Sequence, residues 1–310
     1  MNAYWIMTAL TAAAGFALFA LLLHRKGQGA GTAAAALLLC VPLGMACAKI
    51  SYEILMRADF FLIWGEWSVF TDFRPGRMCF TGGAAGVVLG AVLASAALKK
   101  DRKTVLDCLA APGALMIAGM RLAEQYLGSL GTGRWLEGEG LFSRPPFALR
   151  DAYGDSYAAI FFWEAAAALG LMILALVMRE NRPGVRFEKT VFGLCLCQLL
   201  LENMRNHSMM WGFVHTEQLL CAVLLLLLTV RACRRRAETA GRYLPAVRAF
   251  LLMLLFAVLE FARQKSGVPL LTRGGYGFMS LILVLLAVNY SRTSQESSGS
   301  SSGQESSKGL

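Results

Sequence analysis

The stretch that decides the fold is "FTGGAAGVVLGAVLASAAL", residues 80–98, which opens with an aromatic ring, a hydroxyl and two glycines and then stays apolar. A helix needs about 20 mostly apolar residues to cross a bilayer, so we predict a membrane helix here. A helix start without bulky side chains exposes unpaired backbone N–H groups at the positive end of its dipole, which favours an anion. Small residues also allow close helix packing in membranes. The sequence leaves both uses of Gly82 and Gly83 open.

The composition extends this prediction to the whole chain. Hydrophobic residues make up 56% of the 310 residues and charged residues only 16%, whereas a soluble globular protein carries about 25% charged residues. The apolar runs are continuous and do not alternate with polar residues, which indicates helices and not a barrel. We therefore predict an all-α polytopic membrane protein. Its nine predicted spans lie near 4–23, 31–55, 80–98, 105–127, 156–178, 190–204, 212–230, 245–262 and 274–291.

The basic residues indicate the orientation of these helices. Membrane proteins carry their excess Lys and Arg in cytoplasmic loops. An external N-terminus and a cytoplasmic C-terminus place more than half of the 30 Lys and Arg residues in the cytoplasm. The first span has its basic cluster, His24–Lys26, after the apolar run, which is typical of a retained helix and not of a cleaved signal peptide. The net charge of +10 thus reflects topology, and we predict no nucleic-acid partner.

Polar residues inside the predicted spans are the candidates for a site, because they are costly in lipid and usually face a cavity or a partner. Lys49 and Glu53 share a helix face, as do Arg121 and Glu124. The other polar candidates are Tyr4, Glu164, Gln198, Glu202, Arg205, Glu217 and Gln218. Most of them fall in the outer half of the membrane, where they form either separate salt bridges or one cavity. Arginines in such a cavity would suit the phosphate of a lipid headgroup.

The cysteines and histidines suggest neither a metal nor a cofactor. The eight cysteines lie mostly in apolar runs and have no metal-type spacing, so we interpret them as small buried side chains. Cys79 lies near the outer surface and is the candidate for a reactive thiol. Of the three histidines, His207 and His215 flank an outer loop, and His215 is a candidate base because it lies near Glu217.

Three stretches follow one another: "FTGGAAGVVLG" at 80–90, the basic "KKDRKTVLD" at 99–107 and "APGALMIAGMRLAEQYLG" at 111–128. This order resembles bacterial prolipoprotein diacylglyceryl transferases, which read His-Gly-Gly in the first stretch and Gly-Arg-x-Gly-Asn-Phe-x-Asn-Gly-Glu in the third. The resemblance covers about residues 1–233. It implies a core of seven helices with an external N-terminus in a bacterial cell membrane.

The resemblance also implies an activity. The family moves the diacylglyceryl group of phosphatidylglycerol onto the lipobox cysteine of a preprolipoprotein and forms a thioether. This reaction needs a base for the thiol and cations for the departing glycerol phosphate. Arg121, Glu202 and Arg205 match residues of the family's motifs. Further matches are Tyr4, Lys49, Gly82, Gly83, Glu164 and Gln218.

Several positions depart from the family's pattern. Thr81 stands in place of its histidine, and Gln198 in place of one of its arginines. A threonine hydroxyl is not a base near neutral pH, and a neutral amide holds phosphate less strongly than a guanidinium does. Glu124 replaces the signature asparagine, and it either serves as a new base or stays ionised beside the neighbouring arginine. Leu127 and Ser129 replace the second asparagine and the acid of the signature.

Two functions remain open at this point. The first is a transferase of this family or a related lipid-group transfer, with predicted catalytic residues Arg121, Glu124, Glu202 and Thr81. The predicted substrate-binding residues are Tyr4, Lys49, Gly82, Gly83, Glu164, Gln198, Arg205 and Gln218. The second is a catalytically degenerate relative that binds lipid or lipoprotein, or a membrane assembly subunit that docks a partner on the last two helices. We divide the chain into the core at 1–233, a basic linker with two more helices at 234–291, and a disordered Ser/Gly-rich tail at 292–310.

Overall fold

Long runs of Leu, Ala and Val build most of the chain into helices. The computed structural model describes residues 2–56, 71–136, 140–151, 153–180, 182–206, 210–211, 214–235, 241–266 and 269–306. Residues 57–70, which are most of the outer loop predicted at about 57–79, therefore lie outside the described residues, as does His207. The α-helices of the described part are α1 Asn2–Arg25, α2 Ala30–Met56, α3 Phe80–Ala97, α4 Arg102–Ala123, α5 Ile160–Val177, α6 Val185–Glu202, α7 Thr216–Arg234, α8 Leu244–Ser266 and α9 Pro269–Ser306.

The helices confirm an all-α polytopic membrane protein. Eight of those described, all except α6, are long and apolar enough to cross a membrane. The sixth predicted span is present as α6, but it begins five residues earlier than 190 and carries Arg186, Glu188, Lys189 and Glu202 within its 18 residues. This charge density makes α6 less apolar than its neighbours.

The first of two compact units, Met1–Leu219, is organised around α4. This helix packs against α1, α3, α5 and α6, and α2 runs along α3. Small side chains such as Ala111, Ala114 and Ala118 are fully or nearly fully buried on α4 and let its neighbours approach. Toward its N-terminal end, Val105 and Leu109 pack with Phe19 of α1 in an apolar cluster.

Glycines on α3 face the backbone of α2. A Cβ added to Gly90 would lie 2.7 Å from the Cα of Cys40, and one added to Gly82 would lie 2.8 Å from the carbonyl oxygen of Cys47. Neither leaves room for a methyl group, so α2 and α3 pack backbone to backbone. The packing role that the sequence suggested for the small residues of α3 is thus present at Gly82.

A small sheet connects α4 to α5. Two of its strands lie between the spans predicted near 105–127 and 156–178, and the third takes up the first four residues of the latter, so α5 begins only at Ile160. Strand β1, Thr132–Trp135, pairs antiparallel with β3, Ser156–Ala159, which also pairs antiparallel with β2, Ala148–Arg150. Two further short strands, β4 Met210–Trp211 and β5 Val214–His215, form a hairpin just before α7. Both sheets lie between helices, so they hold the segments that connect α4 to α5 and α6 to α7.

Carboxylates cap helices at the opposite end of α4. Asp101 precedes α4 and accepts hydrogen bonds from the N–H groups of Lys103 (3.2 Å) and Thr104 (3.1 Å) and from the Thr104 hydroxyl (2.5 Å). These bonds hold the pKa of Asp101 below its usual range. Asp107 accepts from the N–H groups of Gly184 (2.6 Å) and Phe187 (2.9 Å) and so fastens the start of α6 to α4.

The second compact unit, Leu220–Leu310, contains α8 and α9 packed along each other. The side chain of Asn289 donates to the carbonyl oxygen of Pro245 (2.8 Å), and the guanidinium of Arg263 lies 4.6 Å from the ring centre of Tyr276. Because α9 is described through Ser306, it includes much of the segment that the composition predicts to be disordered. That disorder stays a prediction.

Candidate functional site

Arg121 lies in the last turn of α4 and is almost fully buried. One of its terminal nitrogens lies 2.6 Å from Glu124, which begins the short 3-10 helix after α4. Its Nε lies 3.3 Å from a carboxylate oxygen of Glu164 on α5. The guanidinium also lies over the Phe80 ring, with its Cζ 4.0 Å from the ring centre. A buried cation in membrane depth needs such compensation, and here two acids and an aromatic ring provide it.

Arg205 meets the same acids from another direction. Its terminal nitrogen donates to Glu164 at 2.7 Å and also to Glu124, and its Nε lies 4.0 Å from Glu202. The residue follows α6, and its backbone bridges to Gly133 in β1. A Cβ on Gly133 would come within 2.5 Å of the Met204 carbonyl oxygen, so only glycine fits where β1 supports this turn.

Gln198 lies one turn before Glu202 and donates to its carboxylate at 2.8 Å. We name these six residues the arginine–glutamate network: Arg121, Glu124, Glu164, Gln198, Glu202 and Arg205. Its members come from α4, the 3-10 helix, α5, α6 and the turn after α6. The structure therefore brings together six of the residues that the sequence selected.

The start of α3 adjoins this network through Phe80. Its neighbour Thr81 donates two hydrogen bonds to Glu217 in the first turn of α7, one from the backbone N–H (3.3 Å) and one from the hydroxyl. The Cys79 thiol also donates to Glu217, at 3.4 Å. In addition, Cys79 accepts the N–H of Gly82 at 3.4 Å and acts as the N-cap of α3.

Three other predicted residues make different contacts. Tyr4 on α1 is near enough to Glu124 and Arg121 to interact with their charges. Gln218 donates to the carbonyl oxygen of Leu199 at 2.9 Å and so ties α7 to α6. Lys49 pairs with Glu53 at 2.8 Å and approaches the Arg77 carbonyl oxygen at 3.5 Å.

Lys49 and Glu53 are both almost fully buried, and both residues of this ion pair lie on α2. Pairing within one helix is compatible with either of the two arrangements that the sequence left open. Lys49 thus contacts α2 and the segment before α3. Its role in substrate binding stays a prediction.

The chain is similar to proteins of a known family. The family model of prolipoprotein diacylglyceryl transferase matches residues 1–233. The chain belongs to the prolipoprotein diacylglyceryl transferase family. Among curated relatives, the phosphatidylglycerol–prolipoprotein diacylglyceryl transferases of Listeria innocua and Listeria monocytogenes are each 28% identical over 201 residues, which cover 62% of this chain and 70% of the relative. The relative from Listeria welshimeri is 26% identical over the same length.

Membership in the diacylglyceryl transferase family makes the chain a multi-pass membrane protein of bacterial type, and it gives the departures a structural meaning. Glu124, which stands where the family's signature has asparagine, places one carboxylate oxygen on Arg121 and the other on Arg205. It therefore occupies the position between two guanidiniums that suits a phosphate. Gln198, in place of an arginine, is turned to Glu202.

Acidic side chains outnumber the arginines at this site, whereas a simple anion pocket has an excess of cations. The diacylglyceryl transferase core of this chain gathers two guanidiniums and four carboxylates here, those of Glu124, Glu164, Glu202 and Glu217. A buried excess of acids is costly unless donors or cations compensate it. Thr81 and Cys79 supply donors for Glu217. Both arginines are thus paired with acids of the chain itself, while the Nε atoms of Arg121 and Arg205 form no hydrogen bond within the described residues.

Sequence reasoning missed part of this family site. Glu217 was named only as a polar residue at depth, because 136 residues separate it from Thr81 and no local pattern joins them. Gly133 had no signal beyond being a loop glycine. Cys79 is corrected from a candidate reactive thiol to a fully buried N-cap: burial and the nearby Glu217 raise its pKa to about 12, which keeps it protonated. His215 is buried in β5, and its role as a base stays a prediction.

Proposed function

We propose that the chain transfers the diacylglyceryl group of phosphatidylglycerol to the lipobox cysteine of a preprolipoprotein, or carries out a closely related lipid-group transfer. The observation that carries the proposal is the meeting of Arg121 and Arg205 on the same two acids inside the family core. Two guanidiniums that contact the same two carboxylates are close enough to bind the oxygens of one phosphate group.

In this proposal, the phosphate of the lipid exchanges with Glu124 between the two arginines. The guanidiniums then stabilise the negative charge that develops on the glycerol phosphate as it departs. Glu164 stays on Arg205 at 2.7 Å and keeps its guanidinium oriented during the exchange. Glu202, held by Gln198, positions Arg205 from the side of α6.

The site is proposed to lie in the outer half of the membrane. The residues of the site come from the end of α4, the end of α6 and the starts of α3 and α7. The opposite helix ends carry basic residues such as Arg25, Lys99 and Arg186. Because the basic side faces the cytoplasm, this orientation gives an external N-terminus and a cytoplasmic C-terminus.

A second candidate function is a non-catalytic relative that binds lipid or lipoprotein, or an assembly subunit. The observation that favours it is Thr81. Its hydroxyl donates a hydrogen bond to Glu217, and the resemblance places it where the family has a histidine. For an assembly role, α8 and α9 offer exposed apolar side chains such as Leu251, Phe261 and Phe278 to lipid or to a membrane partner.

An assay with purified full-length protein separates the two functions. The protein is mixed with phosphatidylglycerol in detergent micelles and with a labelled lipobox peptide, and the thioether product is measured by mass spectrometry. Thioether formation that is lost in R121A supports the transferase. Bound phosphatidylglycerol without any thioether would refute the transferase and favour the binding protein.

A further inference from the structure

The Glu217 carboxylate is a buried ionisable group that the proposed transfer does not yet use. It is 4% exposed and lies in the first turn of α7, facing the start of α3. The transfer reaction needs a base for the acceptor thiol, and Thr81 cannot be that base. Glu217 is the acid that contacts Thr81 directly.

Within the part of the chain that the structure describes, the donors around Glu217 leave one acceptor position open. Oε1 accepts from the Thr81 N–H and the Cys79 thiol, and Oε2 accepts from the Thr81 hydroxyl. An ionised carboxylate offers about four acceptor positions. Three donors from residues 79–81 therefore fix the orientation of the group and leave a position for a further donor, such as a substrate thiol.

Capping of α3 does not account for Glu217. Cys79 already serves as the N-cap, with its sulfur accepting the N–H of Gly82 at 3.4 Å and its carbonyl oxygen accepting the N–H of Gly83 at 3.0 Å. An additional buried carboxylate is costly at membrane depth. Its presence on a helix start that is already capped indicates a task in the chemistry.

Glu217 also lies beside the proposed phosphate site. Phe80 covers the guanidinium of Arg121 at 4.0 Å, and the residues on both sides of Phe80 donate to Glu217. A thiol held by Glu217 would therefore be adjacent to a phosphate held by Arg121.

We propose that Glu217, oriented by Thr81, is the general base that accepts the proton of the acceptor cysteine, a role that rests on the proposed transferase function. As the proton moves to Glu217, the sulfur attacks the glyceryl carbon that bears the phosphate ester oxygen. The S–C bond forms and the C–O bond breaks with its electron pair leaving on the glycerol phosphate. The proton then passes from Glu217 to solvent or to that phosphate, which restores the carboxylate.

The test compares four variants in the thioether assay: E217Q, E188Q, T81V and the double variant T81H/E217Q. Glu188 is a matched control because it is another buried glutamate of the core. It lies in the first turn of α6, whereas the network residue Glu202 ends that helix. General bases contribute roughly 10²- to 10⁴-fold to rate. We expect E217Q to lose at least about 100-fold in kcat, E188Q to keep the wild-type rate, and T81V to lose less than E217Q because it removes only the orienting hydroxyl.

The double variant tests chemistry and not packing. T81H supplies an imidazole, with an ordinary pKa of about 6.5, at the position where the base is needed. We expect T81H/E217Q to regain at least about 10-fold of the lost rate, with a pH–rate profile that differs from that of the wild type. A purely structural Glu217 would not be rescued in this way.

Two results would overturn the inference while leaving the transferase intact: transfer by E217Q at the wild-type rate, or a loss in E217Q that T81H does not repair while the melting temperature falls. Absence of transfer by the wild-type protein would overturn the proposed function and this inference together. That result is distinguishable, because it is seen before any variant is made.

Discussion

The two ends of α4 satisfy their charged side chains in opposite ways. At its start, Asp101 and Asp107 are satisfied mainly by backbone N–H groups and one hydroxyl, which are neutral donors that cannot leave. At its end, Arg121 is satisfied by carboxylates, which an anionic ligand can replace. The first arrangement fastens helices, and the second is exchangeable. Four changes break or sharpen this contrast.

Removal of Arg121 should have the largest effect. R121A leaves Glu124 and Glu164 with one guanidinium fewer, and loss of one partner from a buried ion pair costs about 3–5 kcal/mol. We expect R121A to lower the melting temperature and to abolish binding of fluorescent phosphatidylglycerol in detergent micelles. R121K, which keeps the charge, should retain more stability than R121A. Full lipid binding by R121A would refute the exchangeable site.

Removal of Asp107 should affect stability alone. D107A leaves the N–H groups of Gly184 and Phe187 without this acceptor, and an unsatisfied buried donor costs about 1–3 kcal/mol. We expect a lower melting temperature with unchanged affinity for phosphatidylglycerol. D107N keeps one acceptor oxygen and should lose less. If D107A changed lipid affinity as much as R121A does, the two ends of α4 would not differ in function as described above.

Replacement of Glu124 should strengthen lipid binding. E124N removes the carboxylate that joins both arginines and restores the residue of the family signature. We expect affinity for phosphatidylglycerol to rise by about tenfold, which corresponds to about 1.4 kcal/mol. E188Q serves as the control for removal of a buried acid elsewhere in the core. Weaker binding by E124N would show that Glu124 supports the site instead of competing for it.

Replacement of Asp101 should have the smallest effect. D101A removes the N-cap of α4, which typically costs about 1 kcal/mol. The pKa of Asp101 is lowered in the fold by its hydrogen bonds, chiefly that from the Thr104 hydroxyl. Its stabilisation is therefore present above the unfolded pKa, about 3.9, and is lost as pH falls through the lower folded value. D101A and wild type should differ in melting temperature at pH 7 and converge toward pH 3.

The helices could be predicted from the sequence because membrane spans are set by apolar length, which is a local property. The span predicted near 190–204 is the helix α6, Val185–Glu202, so its ends were misplaced. Charged residues such as Arg186 interrupt the apolar run there, and the cap comes from Asp107 on another helix. The sheet between α4 and α5 gave no signal because its strands are only three or four residues long.

The arginine–glutamate network could also be predicted in its membership, because ionisable residues at membrane depth are rare and costly. The contacts between its members could not be predicted. A sequence shows that Glu124 shares a helix face with Arg121, but not that its second oxygen reaches Arg205, 81 residues away. For the same reason, the sequence does not show the contact of Glu217 with Thr81, which joins the first turns of α3 and α7 in the fold.

The close packing of α2 on α3 has a consequence for biogenesis. Their backbones meet at Gly82 and Gly90, so this hairpin has a stable interface of its own as soon as both helices have entered the bilayer. Glu217 is made 136 residues after Thr81, which at 5–20 residues per second is a delay of roughly 7–27 s. The start of α3 is thus in the bilayer well before its acidic partner, and Cys79 and Thr81 can donate to Glu217 only after the seventh helix has been synthesised.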